Sequence, residues 1–296
     1  MSSHQFGGRW TEEKLGRLKK YLAAYTKIFK ANERASYLRT TFVDAFAGTG
    51  TYTATKESSQ ASGVEPSDVY DEDAAAFQKG SARIAIEVEP SFDHYLFIDK
   101  KTSHIQELEK LRVQFPDKAN RIKIVQGDAN KVLKDWCHQL NRQKNRAVVF
   151  LDPYGMAVEW STIEAISQTQ AADLWLLFPL GQAVNRLLTK SGPPPQAWSN
   201  RLTTLFGTEE WKEAFYRPSL QMSLFDSEQI LEKRATLDGI GKYFVERLST
   251  VFPKVADNPL PLRNSKNVPI YLLCFAASNL KGAPTAVRIA QDILKQ

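Results

Sequence analysis

Short apolar runs rich in β-branched and aromatic residues alternate along this chain with longer amphipathic stretches. Such alternation predicts strand–helix–strand units, which place successive strands side by side in a mostly parallel sheet with helices on both faces. The predicted strands are 40–46, 95–99, 122–126, 147–152, 173–179, 259–262 and 270–277. The predicted helices that connect or follow them are 80–89, 102–114, 130–140, 161–167, 182–188 and 283–295. We therefore expect a single Rossmann-like, doubly wound α/β domain of about seven strands over residues 1–296.

The composition is that of a folded protein with a sizeable core. Of 296 residues, 43% are hydrophobic and 24% are charged, which excludes a wholly disordered or low-complexity chain. Cys137 and Cys274 are far apart in sequence and lie in apolar stretches, so they predict buried free thiols in a reducing compartment. The histidines His94, His104 and His138 follow no ligand spacing and are expected to be structural or exposed. We expect no metal site.

The sequence carries no membrane signal. No apolar run approaches the roughly 18 residues that a transmembrane helix needs. The first residues lack the basic segment followed by an apolar one that marks a secretory signal. We expect a soluble, cytoplasmic protein that does not engage a membrane.

Residues 10–34 predict a basic amphipathic helix before the first strand. Its apolar stripe recurs at three- and four-residue steps and consists of Leu15, Leu18, Leu22, Tyr25 and Phe29. The basic residues off that stripe are Arg17, Lys19, Lys20, Lys27 and Lys30. The formal net charge of the chain is +6, and this face is either a solvated helix surface or a surface for phosphate groups.

Two stretches interrupt the alternating pattern. Residues 52–79 are polar and acidic and predict a flexible insertion. After Ser191-Gly-Pro-Pro-Pro195, residues 191–258 predict a helical insertion, which is a candidate lid or target-recognition region. Its aromatic side chains could serve as platforms for a base, but the plainer and favoured alternative is that they form a small core; they include Trp198, Trp211 and Phe215.

Polar and glycine residues follow four successive predicted strands. In an open α/β sheet, ligands bind beyond the carboxyl ends of the strands, near the point where the strand order reverses. The four places are Asp44-Ala-Phe-Ala-Gly-Thr-Gly50, Asp99, Gly127-Asp128 and Asp152-Pro-Tyr-Gly155. Each alone is a weak signal, because an acidic residue at such a place is as often the cap of the next helix. Together they predict one ligand site.

Dinucleotide binding is the first alternative for that site. The G-x-G-x-x-G fingerprint would need a glycine at position 53, where the chain has Thr53. Asp99 also comes 99 − 50 = 49 residues after Gly50, instead of about 20. A nicotinamide cofactor is therefore disfavoured.

The order Asp44-x-x-x-Gly48-x-Gly50, Asp99, Gly127-Asp128 and Asp152-Pro-Tyr-Gly155 resembles a class I S-adenosylmethionine-dependent methyltransferase. Phe46-Ala-Gly-Thr-Gly50 is similar to the F-x-G-x-G signature of nucleic-acid amino-methyltransferases. Over nearly its whole length the chain resembles the three-Cys-motif partner family, known as TcmP. The matching stretches are the helix at Trp10, VDAFAGTG, Gly80-Ser81, FLDPYG and IYLLCFAASN.

The resemblance implies S-adenosylmethionine as cofactor and a role for each matching residue. It places Gly48 and Gly50 against the methionine part of the cofactor, with Asp44 near its amino group. It places Asp99 at the ribose hydroxyls and Asp128 at the adenine amine. The cofactor-binding residues that it implies are Asp44, Phe46, Ala47, Gly48, Gly50, Asp99, Lys100, Asp128 and Ala129.

The resemblance also implies that Asp152, Pro153, Tyr154 and Gly155 are the catalytic residues on the methyl-acceptor side. In amino-methyltransferases the tetrapeptide is usually Asp/Asn-Pro-Pro-Tyr/Phe, and its acidic or amide oxygen accepts a hydrogen bond from the amine under attack. Here the second proline is absent and Tyr154 comes one place early. Asp-Pro-Phe/Tyr-Gly is also similar to the motif of tRNA guanine N2-dimethyltransferases, which act on an exocyclic base amine.

The leading hypothesis is a methyltransferase that modifies an exocyclic amine of a nucleic-acid base, in DNA or RNA. The first alternative is a cofactor-binding subunit without turnover of its own, or dependent on a partner, that works with a three-Cys-motif protein. The second alternative is a methyltransferase for proteins or small molecules. The altered tetrapeptide leaves all three open.

Overall fold

The computed structural model describes residues 9–33, 35–48, 80–190, 192–218 and 231–295. The expectations for Gly50 and for residues 52–79 lie outside these residues. The helices are α1 (Arg9–Ala31), α2 (Ser81–Glu87), α3 (Thr102–Gln114), α4 (Ala129–Gln139), α5 (Trp160–Gln168), α6 (Asn185–Leu187), α7 (Gln196–Phe206), α8 (Trp211–Phe215), α9 (Leu237–Val251) and α10 (Ala283–Lys295). The strands are β1 (Arg39–Asp44), β2 (His94–Asp99), β3 (Ile122–Gln126), β4 (Asn145–Leu151), β5 (Ala172–Phe178), β6 (Tyr216–Pro218), β7 (Leu231–Lys233), β8 (Lys254–Val255), β9 (Leu260–Arg263) and β10 (Pro269–Ala277).

One large sheet organises the molecule. Its order is β3-β2-β1-β4-β5-β10-β8, and β9 pairs with β10 beside β8. Strands β3, β2, β1, β4 and β5 are parallel, whereas β10 runs antiparallel to β5. This confirms the predicted mostly parallel, Rossmann-like sheet. The strand order reverses between β1 and β4, which is the place where ligands bind in such sheets.

Both faces of the sheet are covered, and the covering explains why the central strand β5 is almost wholly apolar. All seven residues of β5, ADLWLLF, are buried. One face packs against α4, α5, α7, α8 and α9. The other face packs against α1, α2, α3 and α10. Cys137 and Cys274 are buried free cysteines, as predicted.

Helix α1 packs lengthwise on the second of these faces. Leu18, Tyr21, Leu22 and Tyr25 are buried, and the Tyr21 hydroxyl donates a 2.7 Å hydrogen bond to Asp173 of β5. Burial raises the pKa of the Asp173 carboxyl to about 7, although the Tyr21 hydrogen bond opposes that shift. The helix is therefore held by apolar contacts and by a buried polar contact to the middle of the sheet.

The basic face predicted for this helix is smaller than expected. The helix ends at Ala31 rather than at residue 34, and Lys19, Lys20, Lys27 and Lys30 are exposed as predicted. Arg17 is buried instead, with its guanidinium 3.1 Å from Glu13. A position off the apolar stripe can still be covered when a helix packs in a wide groove, since the buried face of a surface helix spans more than one row of side chains.

The segment 191–258 packs against the sheet through its aromatic residues. Trp211 and Phe215 are buried in the same cluster as the sheet residue Phe178, whereas Trp198 is only partly buried. Phe244 of α9 stacks on Phe178 with ring centroids 3.9 Å apart. The segment is not purely helical as predicted, because β6 and β7 pair antiparallel within it and β8 joins the main sheet.

The connection after β5 also differs from the predicted helix at 182–188. Leu180–Val184 forms a π-helix, and the short α6 follows it. Hydrophobic spacing does not distinguish a π-helix from an α-helix over so few residues. Among the described residues, no helix is long and apolar enough to cross a membrane, and no group of three or more His, Cys, Asp or Glu could hold a metal ion.

Gly207 ends α7 in the left-handed conformation, with φ of 70°, and a Cβ added there would lie 2.0 Å from the Trp160 ring. We predict that Gly207→Ala lowers the free energy of unfolding by about 2–4 kcal/mol, because it combines backbone strain with overpacking. Urea denaturation measures the change. Gly192→Ala is the matched control, since Gly192 has φ of 71° and open space around it. Equal losses in the two variants would contradict the role assigned to Trp160.

Candidate active site

Three of the predicted acidic residues lie together at one edge of the sheet. Asp44 ends β1 and Asp99 ends β2, while Asp152 directly follows β4. Because β2, β1 and β4 are adjacent and parallel, their carboxyl ends meet at the same edge. Gly127 and Asp128 follow β3 at that edge too. The structure therefore brings the four predicted places together around the point where the strand order reverses.

Asp44 is a buried anchor for the turn after β1. Its side chain accepts hydrogen bonds from the Ser81 hydroxyl at 2.6 Å and from the Phe46 N–H at 3.2 Å. Burial raises the pKa of the Asp44 carboxyl to about 7, although these hydrogen bonds oppose the shift. The turn continues through the buried Ala47 to Gly48, which has φ of 59°, a conformation that favours glycine.

Asp99 connects this turn to β2. Its carboxylate accepts hydrogen bonds from the Gly48 N–H at 3.0 Å and from the Lys101 N–H at 2.8 Å. His104 Nδ1 lies 3.0 Å from the same carboxylate. Burial raises the pKa of the Asp99 carboxyl, but these three partners stabilise the charged form more, so the pKa lies below its ordinary value. An ionised carboxylate has about four acceptor positions, so capacity remains for a further donor.

Asp128 caps a helix, which is the structural alternative to ligand binding that the sequence left open for an acidic residue after a strand. Its carboxylate accepts a 3.1 Å hydrogen bond from the Lys131 N–H at the start of α4. Asp128 and Lys100 are exposed, while Ala129 is buried. The cap uses one carboxylate oxygen of Asp128, so the residue can hold α4 in place and still meet a ligand at the edge of the sheet.

Asp152 forms the least expected contact of the site, with Lys14 of α1. Lys14 Nζ lies 3.4 Å from Asp152 Oδ1, and both side chains are buried, at 0% and 6% exposure. The ammonium also lies over two rings, 4.8 Å from the centroid of Trp10 and 5.8 Å from that of Tyr271. The α1 helix thus delivers a cation to the end of β4, through a contact between residues 138 positions apart.

Burial pushes both members of this pair toward their neutral forms. It raises the pKa of Asp152 to about 6, while the nearby Lys14 lowers it. Burial lowers the pKa of Lys14 well below its ordinary value, while Asp152 and Asp44 raise it. Each partner therefore opposes the effect of burial on the pKa of the other, in a place where an isolated charge is costly.

The rest of the tetrapeptide turns outward from Asp152. Pro153 is buried, Tyr154 is 37% exposed, and Gly155 has φ of 56°. Lys101 Nζ lies 5.9 Å from the centroid of the Tyr154 ring. The positive φ at Gly155 reverses the chain, so the Tyr154 ring stands at the surface beside the carboxyl ends of β2 and β4.

Asn130 fixes the end of this loop. Its side-chain amide donates to the Ala157 carbonyl at 2.8 Å, and its oxygen accepts from the Glu159 N–H at 3.0 Å and the Thr162 hydroxyl at 2.8 Å. Because Asn130 lies in the first turn of α4, it connects the residues after β3 to the loop after β4.

Sequence reasoning missed several residues that the structure brings to the site. They are Lys14, Ser81, His104, Asn130 and Tyr271. A signal for Lys14 was present, since Trp10, Lys14 and Leu18 recur at four-residue steps and so share one helix face. No spacing rule could have joined His104 to Asp99 or Tyr271 to Lys14, because these contacts depend on the fold.

No protein-family model matches the chain, and no curated protein sequence matches it. Solved structures resemble it in fold. Protein LPL1258 of Legionella pneumophila str. Philadelphia 1, described by the family model DUF519, has 12% identity and a TM-score of 0.50, over 99% of this chain and 93% of that chain.

Two further structures are more distant. Spermidine synthase of Thermotoga maritima has 9% identity and a TM-score of 0.39, over 95% of this chain and 62% of its own. Magnesium protoporphyrin IX methyltransferase of Synechocystis PCC 6803, solved with bound S-adenosylmethionine, has 13% identity and a TM-score of 0.31, over 78% of this chain and 85% of its own. The likeness to LPL1258 shows the fold alone, and these two are too distant to support an argument.

The buried ion pair yields a pH-dependent prediction. In Lys14→Met the Asp152 carboxylate loses its cation, so its pKa rises further and the charged form becomes costly. We expect a loss of about 3–5 kcal/mol in the free energy of unfolding at pH 8, which shrinks at pH 5 as Asp152 takes up a proton. Urea denaturation of the variant and the wild type at both pH values measures this difference.

Lys27→Met on the exposed face of the same helix is the control, and we expect it to change stability little at either pH. A loss in Lys14→Met that is the same at pH 5 and pH 8 would show that Lys14 contributes packing and not charge.

Proposed function

We propose that the protein is a cytoplasmic S-adenosylmethionine-dependent methyltransferase that modifies an exocyclic amine of a nucleic-acid base. The observation that carries the proposal is the shared sheet edge, where the Gly48 turn bonds to Asp99 and the Asp152 carboxylate lies beside Lys14. The motif order that resembles class I methyltransferases supports the same reading. S-adenosylmethionine supplies an activated methyl group when bound.

The residues on the cofactor side fit that group. Asp99 is held in its charged form and keeps acceptor capacity, which suits ribose hydroxyls. Gly48 has no side chain at the turn and adopts a positive φ, so the backbone there can approach a ligand closely. Asp44 holds this turn from below through Ser81 and Phe46. We assign the remaining contacts to Phe46, Ala47, Gly50, Lys100, Asp128 and Ala129.

On the acceptor side, Asp152 would accept a hydrogen bond from the target amine and orient its lone pair. The amine becomes more positive as its nitrogen is alkylated, so a carboxylate held ready beside it stabilises the developing charge. Lys14 keeps Asp152 ionised, and Pro153 and Gly155 shape the loop. Tyr154 is exposed at the same edge, where its ring can stack on a base. We assign a supporting role in target recognition to segment 191–258.

A second candidate is a cofactor-binding subunit that needs a partner, such as a three-Cys-motif protein, before it transfers a methyl group. The burial of Asp152 against Lys14 favours it, because a carboxylate with 6% exposure meets an acceptor only after a local rearrangement. Resemblance to the TcmP family points to the same kind of partner. Methyl transfer that appears only when the partner is added would distinguish this candidate from the first.

Cofactor binding is tested by calorimetric titration with S-adenosylmethionine and its demethylated product, with NAD as a negative control. We expect binding of the first two alone. Asp99→Ala should weaken it at least about tenfold, because it removes charge-assisted hydrogen bonds worth roughly 1.5–3 kcal/mol. Asp135→Ala, an exposed carboxylate on α4, should leave the affinity unchanged. Unchanged affinity in Asp99→Ala would exclude Asp99 from the cofactor site.

The acceptor role is tested with Asp152→Ala and Asp152→Asn, with labelled S-adenosylmethionine and total RNA, DNA and protein as acceptors. We expect transfer to nucleic acid by the wild type and its loss in Asp152→Ala, while calorimetry shows that cofactor binding is kept. Asp152→Asn should retain part of the rate, since an amide oxygen still accepts a hydrogen bond. Transfer that survives Asp152→Ala would refute the acceptor assignment, and transfer to protein alone would refute the substrate class.

A further inference from the structure

A cleft opens at the carboxyl end of β5, beside the acceptor side of the site. Its volume is about 480 Å³, and it lies between the helical segment after β5 and the loop that joins β9 to β10. The polar residues that line it are Gln182, Asn185, Arg186, Asn264, Ser265 and Lys266. Neither the cofactor assignment nor the acceptor assignment uses any of these residues.

The cleft is on the same edge of the sheet as Asp152. Strand β10 begins where β5 ends, since Leu272 pairs with Phe178. Two strand spacings, on the order of 10 Å, separate β10 from β4, whose end carries Asp152. Tyr271 connects the two places, because its ring lies 5.8 Å from Lys14 Nζ while its neighbour Ile270 lines the cleft. The cleft and Asp152 therefore lie at the same edge of the sheet, two strands apart.

The lining of the cleft is suited to an anion. Ten described residues line it and none of them is acidic. Arg186 and Lys266 are exposed, and neither forms an ion pair with any residue that the structure describes. Their charges are therefore available at the surface, next to the amide and hydroxyl groups of the other lining residues.

Lys233 is a third cation near the cleft, and it orients the side-chain amide of Asn185. Lys233 Nζ donates to Asn185 Oδ1 at 2.7 Å and to the Asn185 carbonyl at 3.3 Å. Because the Asn185 oxygen is occupied, its NH₂ group is the part left to donate toward a ligand. Lys233 thus adds positive charge behind the cleft and presents a further donor in it.

The two walls of the cleft are fixed against each other. Gly181 lies so close to the hairpin wall that an added Cβ would be 2.4 Å from the Pro269 carbonyl oxygen. Gly181 belongs to the π-helix Leu180–Val184, and π-helical turns are frequent at functional sites. The distance between the two walls is therefore set by the backbone.

We propose that this cleft binds the phosphodiester backbone of a single nucleic-acid strand and so positions the strand whose base reaches Asp152. A guanidinium, an ammonium, amides and a hydroxyl are the groups that contact phosphate oxygens in nucleic-acid complexes. A single strand is the form whose bases are free to leave the stack and enter a methylation site. The inference rests on the proposed function and adds to it the place where the substrate backbone lies.

The experiment compares Arg186→Ala/Lys266→Ala with the wild type by fluorescence anisotropy, using labelled single-stranded RNA and DNA over a series of salt concentrations. Arg288→Ala/Lys295→Ala is the matched control, because it removes the same two residue types from exposed positions on α10, which begins at the opposite edge of the sheet. Calorimetric titration with S-adenosylmethionine on the same preparations reports whether the cofactor site is intact.

We expect the Arg186/Lys266 variant to bind the strand roughly tenfold more weakly than the wild type and the α10 control. Its slope of log affinity against log salt should be shallower by about 1.4, at about 0.7 for each lost phosphate contact to a single strand. Cofactor affinity should not change. Comparison of the RNA and DNA arms then shows which strand the cleft prefers.

Equal affinity and equal salt slope in the Arg186/Lys266 variant and the wild type would overturn the inference and leave the proposed function standing. Failure of the wild type to bind either strand would also overturn it, and cofactor binding measured in parallel would show whether the methyltransferase proposal survives. Equal weakening by the α10 control would overturn it as well, since only the net charge of the protein would then matter.

Discussion

The buried ion pair between Lys14 and Asp152 is the interaction on which the arrangement of α1 against the end of β4 depends. Two charges removed from water stabilise a fold only when each finds the other, so the helix that carries Lys14 must lie in one register on the sheet. The hydrogen bond from Tyr21 to Asp173 sets the same register seven residues later. Apolar packing holds α1 on the sheet, and these two polar contacts determine how it is placed along and around its own axis.

Three carboxylates lie at equivalent places, at the ends of neighbouring parallel strands, and yet differ in their charge and their contacts. Asp44 is fully buried, has a pKa of about 7 and accepts hydrogen bonds from Ser81 and Phe46, so it serves as a structural acceptor for the turn after β1. Asp99 is surrounded by donors that hold its pKa low, and it stays charged at the mouth of the site. Asp152 lies between these cases, because burial and Lys14 act on it in opposite directions. The pKa values of three chemically identical side chains thus differ because of their surroundings alone.

The fold was predictable from the sequence because it depends on patterns that are local. The run ADLWLLF predicts a strand buried on both faces, and the predicted bounds of the helices at 102–114 and 283–295 coincide with α3 and α10. The sequence also predicted that the residues at the strand ends lie close together, because parallel strands bring their carboxyl ends to one edge of the sheet. The strands within residues 191–258 were not predicted from the sequence. The strands β6 and β7 are only three residues long, too short to show an alternating pattern, and their pairing depends on tertiary structure.

Residues whose role comes from distant partners could not be predicted in the same way. Lys14 looks like one more charge on a basic helix until Asp152 is placed against it. The π-helix after β5 depends on backbone hydrogen bonds from Ala183 and Val184 to the Pro179 carbonyl, and no side-chain pattern predicts these bonds. His104 belongs to no sequence motif, and its place in the site is evident only from its short distance to the Asp99 carboxylate.

The contacts of Lys14 also set the order in which the site can be completed as the chain is made. The ammonium is enclosed by Trp10 near the start of the chain, Asp152 in the middle and Tyr271 near the end. Translation delivers α1 before β4 and β10, so its cation has no complete environment until β10 has been synthesised. The turn at Gly48 is bonded to Asp99, whose other partners end at His104, whereas the contacts of Lys14 extend to Tyr271. In a nascent chain the partners of Asp99 are therefore all present well before the surroundings of Lys14 can be completed.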